Sequence, residues 1–130
     1  MLTITSKSPY AVRALIELYR VGDAEPVPIG ELARRGDIPA QFLEQLCATM
    51  RRGGVLRSQR GVKGGYRFAR PATEITVLDV VELLDGPLAQ GAQGVFLEAA
   101  QAAREVLGER TIADVAEEET GAAGAQMYYI

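Results

Sequence analysis

Residues 39–70 read PAQFLEQLCATMRRGGVLRSQRGVKGGYRFAR, and the order of signals inside them decides the fold. A proline opens the segment. Apolar side chains follow at Phe42, Leu43, Leu46, Cys47 and Met50, two arginines occupy the closing turn, and Gly53 and Gly54 end it. That is the spacing and punctuation of an amphipathic helix starting at Pro39. Its other face presents Gln41, Glu44, Gln45, Ala48 and Arg52. Residues 55–58 and 66–69 then read as two short strands of a hairpin, with Arg60, Gly61, Val62, Lys63, Gly64 and Gly65 in the bend. The glycines there permit φ above zero and let the backbone lie close to another surface. Cationic side chains on such a hairpin, beside a helix offering amides and a carboxylate, suit a reader of nucleic acid.

Upstream, a helix to about residue 20 carries Ala11, Ala14, Leu15 and Leu18 on its apolar side. Ser6 or Ser8 can cap it, and Pro9 is tolerated because the first turn has no internal N–H bond to lose. Residues 1–5 are expected to be an extended or fraying lead, and 21–28, rich in Gly, Pro and acid, a loop. Residues 29–35 make a short helix with Ile29, Leu32 and Ala33 on one side, and Gly36-Asp37-Ile38-Pro39 turns the chain into the next. Two short helices joined by a tight turn, the second polar outside, form a helix-turn-helix, and the hairpin adds a wing.

Beyond Pro71, Thr76-Val77-Leu78-Asp79 has the T-x-x-D form of a capping box and opens a helix over 77–84 that stops at Asp85-Gly86-Pro87. Residues 88–94 are a loop of small side chains. Residues 95–107, VFLEAAQAAREVL, are helical by propensity, with an apolar stripe of Phe96, Ala99, Ala100, Ala103, Val106 and Leu107. So short a chain offers that stripe no obvious cover, and it reads as a dimer contact. Thr111-Ile112-Ala113-Asp114 repeats the cap and opens a last short helix through about residue 119. The expected organisation is a winged helix-turn-helix domain over 1–86, a dimerisation helix and short following helix over 87–119, and a flexible tail over 120–130 unless Met127, Tyr128 and Tyr129 dock. The fold class is mainly α with a small β-hairpin wing.

With 130 residues, 48% of them hydrophobic, the chain is the size of one domain whose core would gain from pairing with a second copy. No apolar run approaches the roughly 20 residues that span a bilayer, and the first residues lack a signal-peptide layout, so a cytoplasmic protein without membrane attachment is expected. A single cysteine excludes an internal disulfide, and with no histidine the commonest metal ligand and general base is missing. There is no nucleophile–base pair, and no helix follows RGVKGG to make it a phosphate loop, so no catalytic residue and no enzyme is expected. The net charge of −3 conceals an asymmetry: residues 1–71 hold 12 Lys/Arg against 6 Asp/Glu, and residues 72–130 hold 2 against 11. The positive surplus coincides with the glycine hairpin and gives the footprint a DNA-binding domain needs, while the acidic half would face away from the duplex.

The stretches SKSPYAVRALIEL and PVPIGELARRGDIPAQFLEQLCATMRRGGVLRSQRGVKGGYRFARPATEITVLDVVELLDGPL resemble the Rrf family of bacterial winged-helix transcription regulators, of the IscR, NsrR and CymR type. The likeness is close over residues 2–88 and looser over 95–115, and its most specific pieces are YAVRAL, FLEQL and RGVKGGYRFARP in that order. It implies a sequence-specific regulator, taken as a repressor, that binds a palindromic double-stranded operator as a homodimer, with half-sites about one helical turn apart or a multiple of it. In this resemblance Gln41 and Glu44 face base edges in the major groove, and Arg60 reaches the adjacent minor groove. The chemistry agrees, since Gln pairs bidentately with adenine, Glu accepts from a cytosine amino group, and Arg favours phosphate and a narrow groove. Lys7, Arg51, Arg57, Lys63 and Arg67 are assigned to phosphates, Gly61, Gly64 and Gly65 to the wing backbone, and the family's dimer helix to 95–107.

The chain also departs from the family. Cluster-bearing members carry three cysteines in the loop before the dimer helix; here that loop reads GPLAQGAQG, and Ser8 stands where some members place a carboxylate ligand. A cluster needs thiolates, so the expectation is a member with no iron–sulfur cluster and no other cofactor, in which Cys47 is a buried core thiol. For Glu44 the competing reading is a pair with Arg51 or Arg52. A different class of function would be a winged module docking on an acidic partner protein with little direct DNA binding; salt-dependent binding to one operator separates the two. The signal stays open among a small molecule held between the winged domain and the dimer helix, a protein effector, oxidation of Cys47, and no signal at all.

Overall fold

The computed structural model describes residues 2–127. In chain order its elements are α1 (Lys7–Val21), α2 (Ile29–Gly36), α3 (Ala40–Arg52), β1 (Leu56–Gln59), β2 (Gly65–Phe68), α4 (Val77–Asp85), α5 (Val95–Gly108) and α6 (Ile112–Met127). The fold is mainly α with a small β-hairpin wing. The core is built on α1: Ala11, Ala14, Leu15 and Leu18 cluster with Leu32 and Ala33 of α2, Leu43, Leu46, Cys47 and Met50 of α3, Val80 of α4, and Ile112 and Ala113 of α6.

The lead, expected to be extended or fraying, carries no helix or strand over residues 2–5 and is tied down at Thr5. Its hydroxyl accepts the Lys7 N–H at 3.2 Å and donates to Asp85 Oδ1 at 2.6 Å, while its own N–H reaches Asp85 Oδ2 at 3.2 Å. Neither serine caps α1: Ser6 holds the N-cap position without a side-chain bond, and the buried Ser8 donates to Asp85 Oδ2 at 2.5 Å. Burial alone would raise the Asp85 carboxyl, but the bonds from Ser8 and Thr5 and the charge of Lys7 outweigh it and hold it below the ordinary value. A lowered carboxylate contributes stability that is present above its unfolded pKa and is lost as pH falls through the folded one. Asp85→Asn is therefore expected to flatten the fall of the unfolding midpoint below about pH 4, where an unfolded aspartate protonates; an acid limb as steep as the parent's would count against it.

Asp37 takes the left-handed conformation, φ 52°, in the turn from α2 to α3, a conformation that Asp tolerates better than most residues. Pro39 sits at the N-cap, so α3 starts one residue later than the proline suggested. A contact that periodicity does not reveal fixes this corner. Arg13 donates to the Gly36 carbonyl at 3.2 Å and lies 5.1 Å from the centroid of the Tyr10 ring, which meets Phe42 edge-on at 5.5 Å.

In the wing, Leu56 pairs with Phe68 and Gln59 with Gly65 in an antiparallel register. The regular strands lie one residue away from the expected ranges. Val55 still holds the hairpin root, its N–H donating to the Met50 carbonyl and its carbonyl accepting from Ala69, both at 2.9 Å. The loop expected over 21–28 contributes a one-residue third strand. Val27 N–H donates to the Tyr66 carbonyl at 2.9 Å, and Tyr66 N–H to the Val27 carbonyl at 2.8 Å. Pro28 steers the residue before it to extended backbone, and Val27 keeps the N–H that its proline neighbours lack. A Cβ on Gly65 would lie 2.3 Å from Val27 backbone atoms, and one on Gly64 2.3 Å from the Gln59 carbonyl oxygen. The close approach that these two glycines permit is thus to the chain's own backbone; Gly61, φ +112°, has open space around it.

Both T-x-x-D boxes form, Thr76 with Asp79 through two bonds of 3.0 Å and Thr111 with Asp114 through bonds of 2.9 and 3.1 Å. They are also joined to each other: Val77 N–H donates to the Arg110 carbonyl and Ile112 N–H to the Ile75 carbonyl, both at 2.9 Å. The stripe on α5 is split rather than single. Ala100 is fully buried against its own domain and Leu107 half-buried, whereas Val95, Phe96 and Val106 are 67%, 55% and 54% exposed and Ala99 faces solvent with them. The apolar arc of this helix is wide enough to serve two surfaces, and of the expected dimer set Ala100 is turned onto the protomer's own core. The last helix also runs past residue 119 to Met127. The alanine-rich backbone of 121–126 favours helix more than its small size suggested. Tyr128 and Tyr129 lie outside the described residues.

Candidate nucleic-acid interface

On α3 the apolar side is sealed, Leu43, Leu46, Cys47 and Met50 being at most 2% exposed. That packing turns Gln41, Glu44 and Gln45 outward, and all three are exposed. Among the described residues none of these three side chains has a hydrogen-bond or ion-pair partner, and Glu44 pairs with neither Arg51 nor Arg52. Arg52 donates instead to the Thr49 hydroxyl at 3.3 Å. Uncommitted amide and carboxylate groups on one helix face are free to meet a partner.

The cations of residues 1–71 sort into two groups. Arg20 pairs with Glu17, Arg34 and Arg35 with Glu31, and Arg70 with Asp79, at 2.8 to 3.6 Å. The bonds from Arg34 and Arg35 hold the Glu31 carboxyl below its ordinary range. Arg13 and Arg52 are occupied as described. Arg51, Arg57, Arg60, Lys63 and Arg67 have no side-chain acceptor among the described residues, and Lys7 is engaged only through its charge on Asp85. These six are Arg60, which the family resemblance takes to the minor groove, and the five cations assigned above to phosphates. Five of them follow one another from the end of α3 through the hairpin, with Arg60 and Lys63 exposed in the bend beside the fully exposed Val62. Arg67 differs from the others: it is half-buried, and its Nε is shielded from solvent without a partner.

Cys47 is completely buried, and burial pushes its thiol up to about 12. Such a thiol stays neutral at physiological pH, unfit as a metal ligand or as an easily oxidised thiolate. Among the described residues no group of three or more His, Cys, Asp or Glu could hold a metal ion, and the loop before α5 carries no cysteine. Ser8, at the position aligned with a carboxylate ligand, has its hydroxyl committed to Asp85. The donor set therefore does not fit an iron–sulfur cluster. A groove of about 370 Å³ does lie between the winged domain and α5, lined by Ile4, Ser8, Pro9, Val12, Val81 and Leu107 among others. No helix among the described residues is long and apolar enough to cross a membrane.

The family model described as Rrf2, iron-dependent transcriptional regulator, matches residues 4–94. Rv1287 of Mycobacterium tuberculosis, named for an HTH-type transcriptional regulator, is 35% identical over 131 aligned residues that cover 88% of this chain and 81% of its own. The HTH-type transcriptional regulator CymR of Bacillus subtilis is 28% identical over 99% of this chain and 100% of its own. Its solved structure, described as that of the global cysteine regulator, superimposes with a TM-score of 0.80 over 91% of this chain and 98% of that one. IscR from T. potens gives a TM-score of 0.79 at 31% identity, over 91% and 88%. These relatives are regulators rather than enzymes, and with the helix-turn-helix, the wing and the matched residues in the same order, the chain belongs to the Rrf2 family of DNA-binding transcriptional regulators.

Proposed function

We propose that the chain is a sequence-specific homodimeric regulator that works without an iron–sulfur cluster, binds a palindromic operator, and represses where that operator overlaps a promoter. The observation that carries this reading is the coincidence of uncommitted cations along the α3–hairpin stretch with the free Gln41 and Glu44 on the adjacent helix face. In it α3 enters the major groove, where Gln41 pairs with adenine and Glu44 accepts from cytosine, and Arg60 enters the neighbouring minor groove. Lys7, Arg51 and Lys63 hold phosphates, with Gly61 giving the bend its turn. Arg57 and Arg67 stand apart because they line a cavity behind the hairpin. A second copy covers the outward face of α5 and sets the symmetry of the operator.

An operator selected from random duplexes allows the test. Arg60→Ala is expected to weaken binding about tenfold and to lower the slope of log affinity against log salt by about one. Gln41→Ala is expected to lose about 1–3 kcal/mol of discrimination at one base pair of each half-site while keeping its affinity for unrelated DNA. Parent-like operator binding by both variants would show that helix and wing have been assigned wrongly. An iron–sulfur absorption band in anaerobically purified protein would refute the cluster-free part alone.

A further inference from the structure

A cavity of about 660 Å³ opens between the end of α1, the hairpin and the strap over 69–73, and its walls include Tyr19, Asp23, Arg57, Arg67, Phe68 and Arg70. Arg57 and Arg67 are direct cross-strand neighbours, and like charges placed opposite each other on a hairpin repel. Among the described residues neither is paired with a carboxylate, while the charge of Arg70 is met by Asp79 at 3.6 Å. Arg67 is half-buried, and its Nε is shielded from water and unbonded, so this guanidinium carries a desolvation cost that no carboxylate among the described residues offsets. Tyr19 and Phe68 add aromatic surface, and the Tyr19 hydroxyl is held in place by donating to Glu117 at 3.2 Å.

We propose that this cavity binds a small organic oxyanion, a carboxylate or phosphate ester with an apolar body, its oxygens between Arg57 and Arg67 and its body against Tyr19 and Phe68. The volume falls in the range of small-molecule pockets, and the guanidinium fork matches both oxyanions. Asp23 on the same wall opposes a second negative charge. It favours a ligand charged at one end over a DNA backbone, whose charges recur at every step. Neither arginine is assigned to DNA in the DNA-binding reading above, so occupancy does not rest on it and should be indifferent to bound duplex.

The test therefore uses the full chain without DNA. Its unfolding midpoint is measured in sodium benzoate and in sodium phosphate, each against sodium chloride at the same ionic strength. At least one of the two anions should raise the midpoint by about 3 °C or more near saturation. Arg67→Met should remove most of that rise, as should Arg57→Met, which changes an exposed side chain and leaves the fold intact. Arg34→Gln, which removes the same charge from α2, should keep it. No rise with either anion, or equal rises in all the variants, would overturn the proposal. The measurement is repeated with random duplex bound at low salt: persistence of the rise supports a small-molecule site. Its loss assigns the two arginines to DNA phosphates and overturns the proposal. Failure here leaves the Arg60 and Gln41 outcomes unaffected, so the two readings fall separately.

Discussion

For the dimer proposed above, Ala99→Glu is expected to give a folded monomer and to weaken operator binding by about 100-fold or more, the effective-concentration advantage of joining two half-site readers. Ala99 lies on the face of α5 where Val95, Phe96 and Val106 are each more than half exposed, and large side chains of this kind gathered on one helix face mark a contact surface. Its small size lets a second helix come close. In a two-fold contact a glutamate there brings two like charges together out of water, which is far costlier than burying one paired ion. The protomer should be spared, because Ala100, which seals α5 onto its own domain, is unchanged. Ala100→Glu should instead unfold the chain. Light scattering, thermal unfolding and operator affinity read the three consequences; a dimer that survives Ala99→Glu with parent-like affinity would remove α5 from the interface.

Gly65→Ala is expected to cost about 3 kcal/mol of stability, the sum of backbone strain and the two hydrogen bonds between Val27 and Tyr66 that would have to part. Its φ of +156° and the 2.3 Å approach of a Cβ to the Val27 carbonyl leave no side chain that could swing aside, because the obstacle is backbone. The unfolding midpoint should fall by about 10 °C. Gly61→Ala, where φ is +112° but space is open, should cost only about 1 kcal/mol for the conformation itself. Equal, small effects at both positions would mean that Val27 does not hold the wing.

The helix-turn-helix and wing were legible because their signals are local: the periodicity of Phe42, Leu43, Leu46 and Met50, the Gly-Gly stop, and two T-x-x-D boxes that form as written. What escaped depends on distance along the chain. Ser8 meets Asp85 across 77 residues, and a one-residue strand such as Val27 has no period to detect. Ala99 and Ala100 look alike in sequence, and only the packing of α5 tells which faces outward. At the interface, charge and resemblance pointed to the six cations, but whether each was already committed within the chain depended on three-dimensional neighbours. The depth of Arg67 and the aromatic wall beside it left no trace in residue order.

The bonds linking the Thr76 and Thr111 caps clasp the two ends of an excursion that contains α5. In a dimer built on that helix, the clasp makes it a lever mounted on a fixed hinge plate, so the spacing between the two DNA-reading heads is dictated at residues 75–77 and 110–112. Lengthening the loop over 86–94 would then leave the preferred half-site separation nearly unchanged, whereas loosening the clasp would let the same protein accept several.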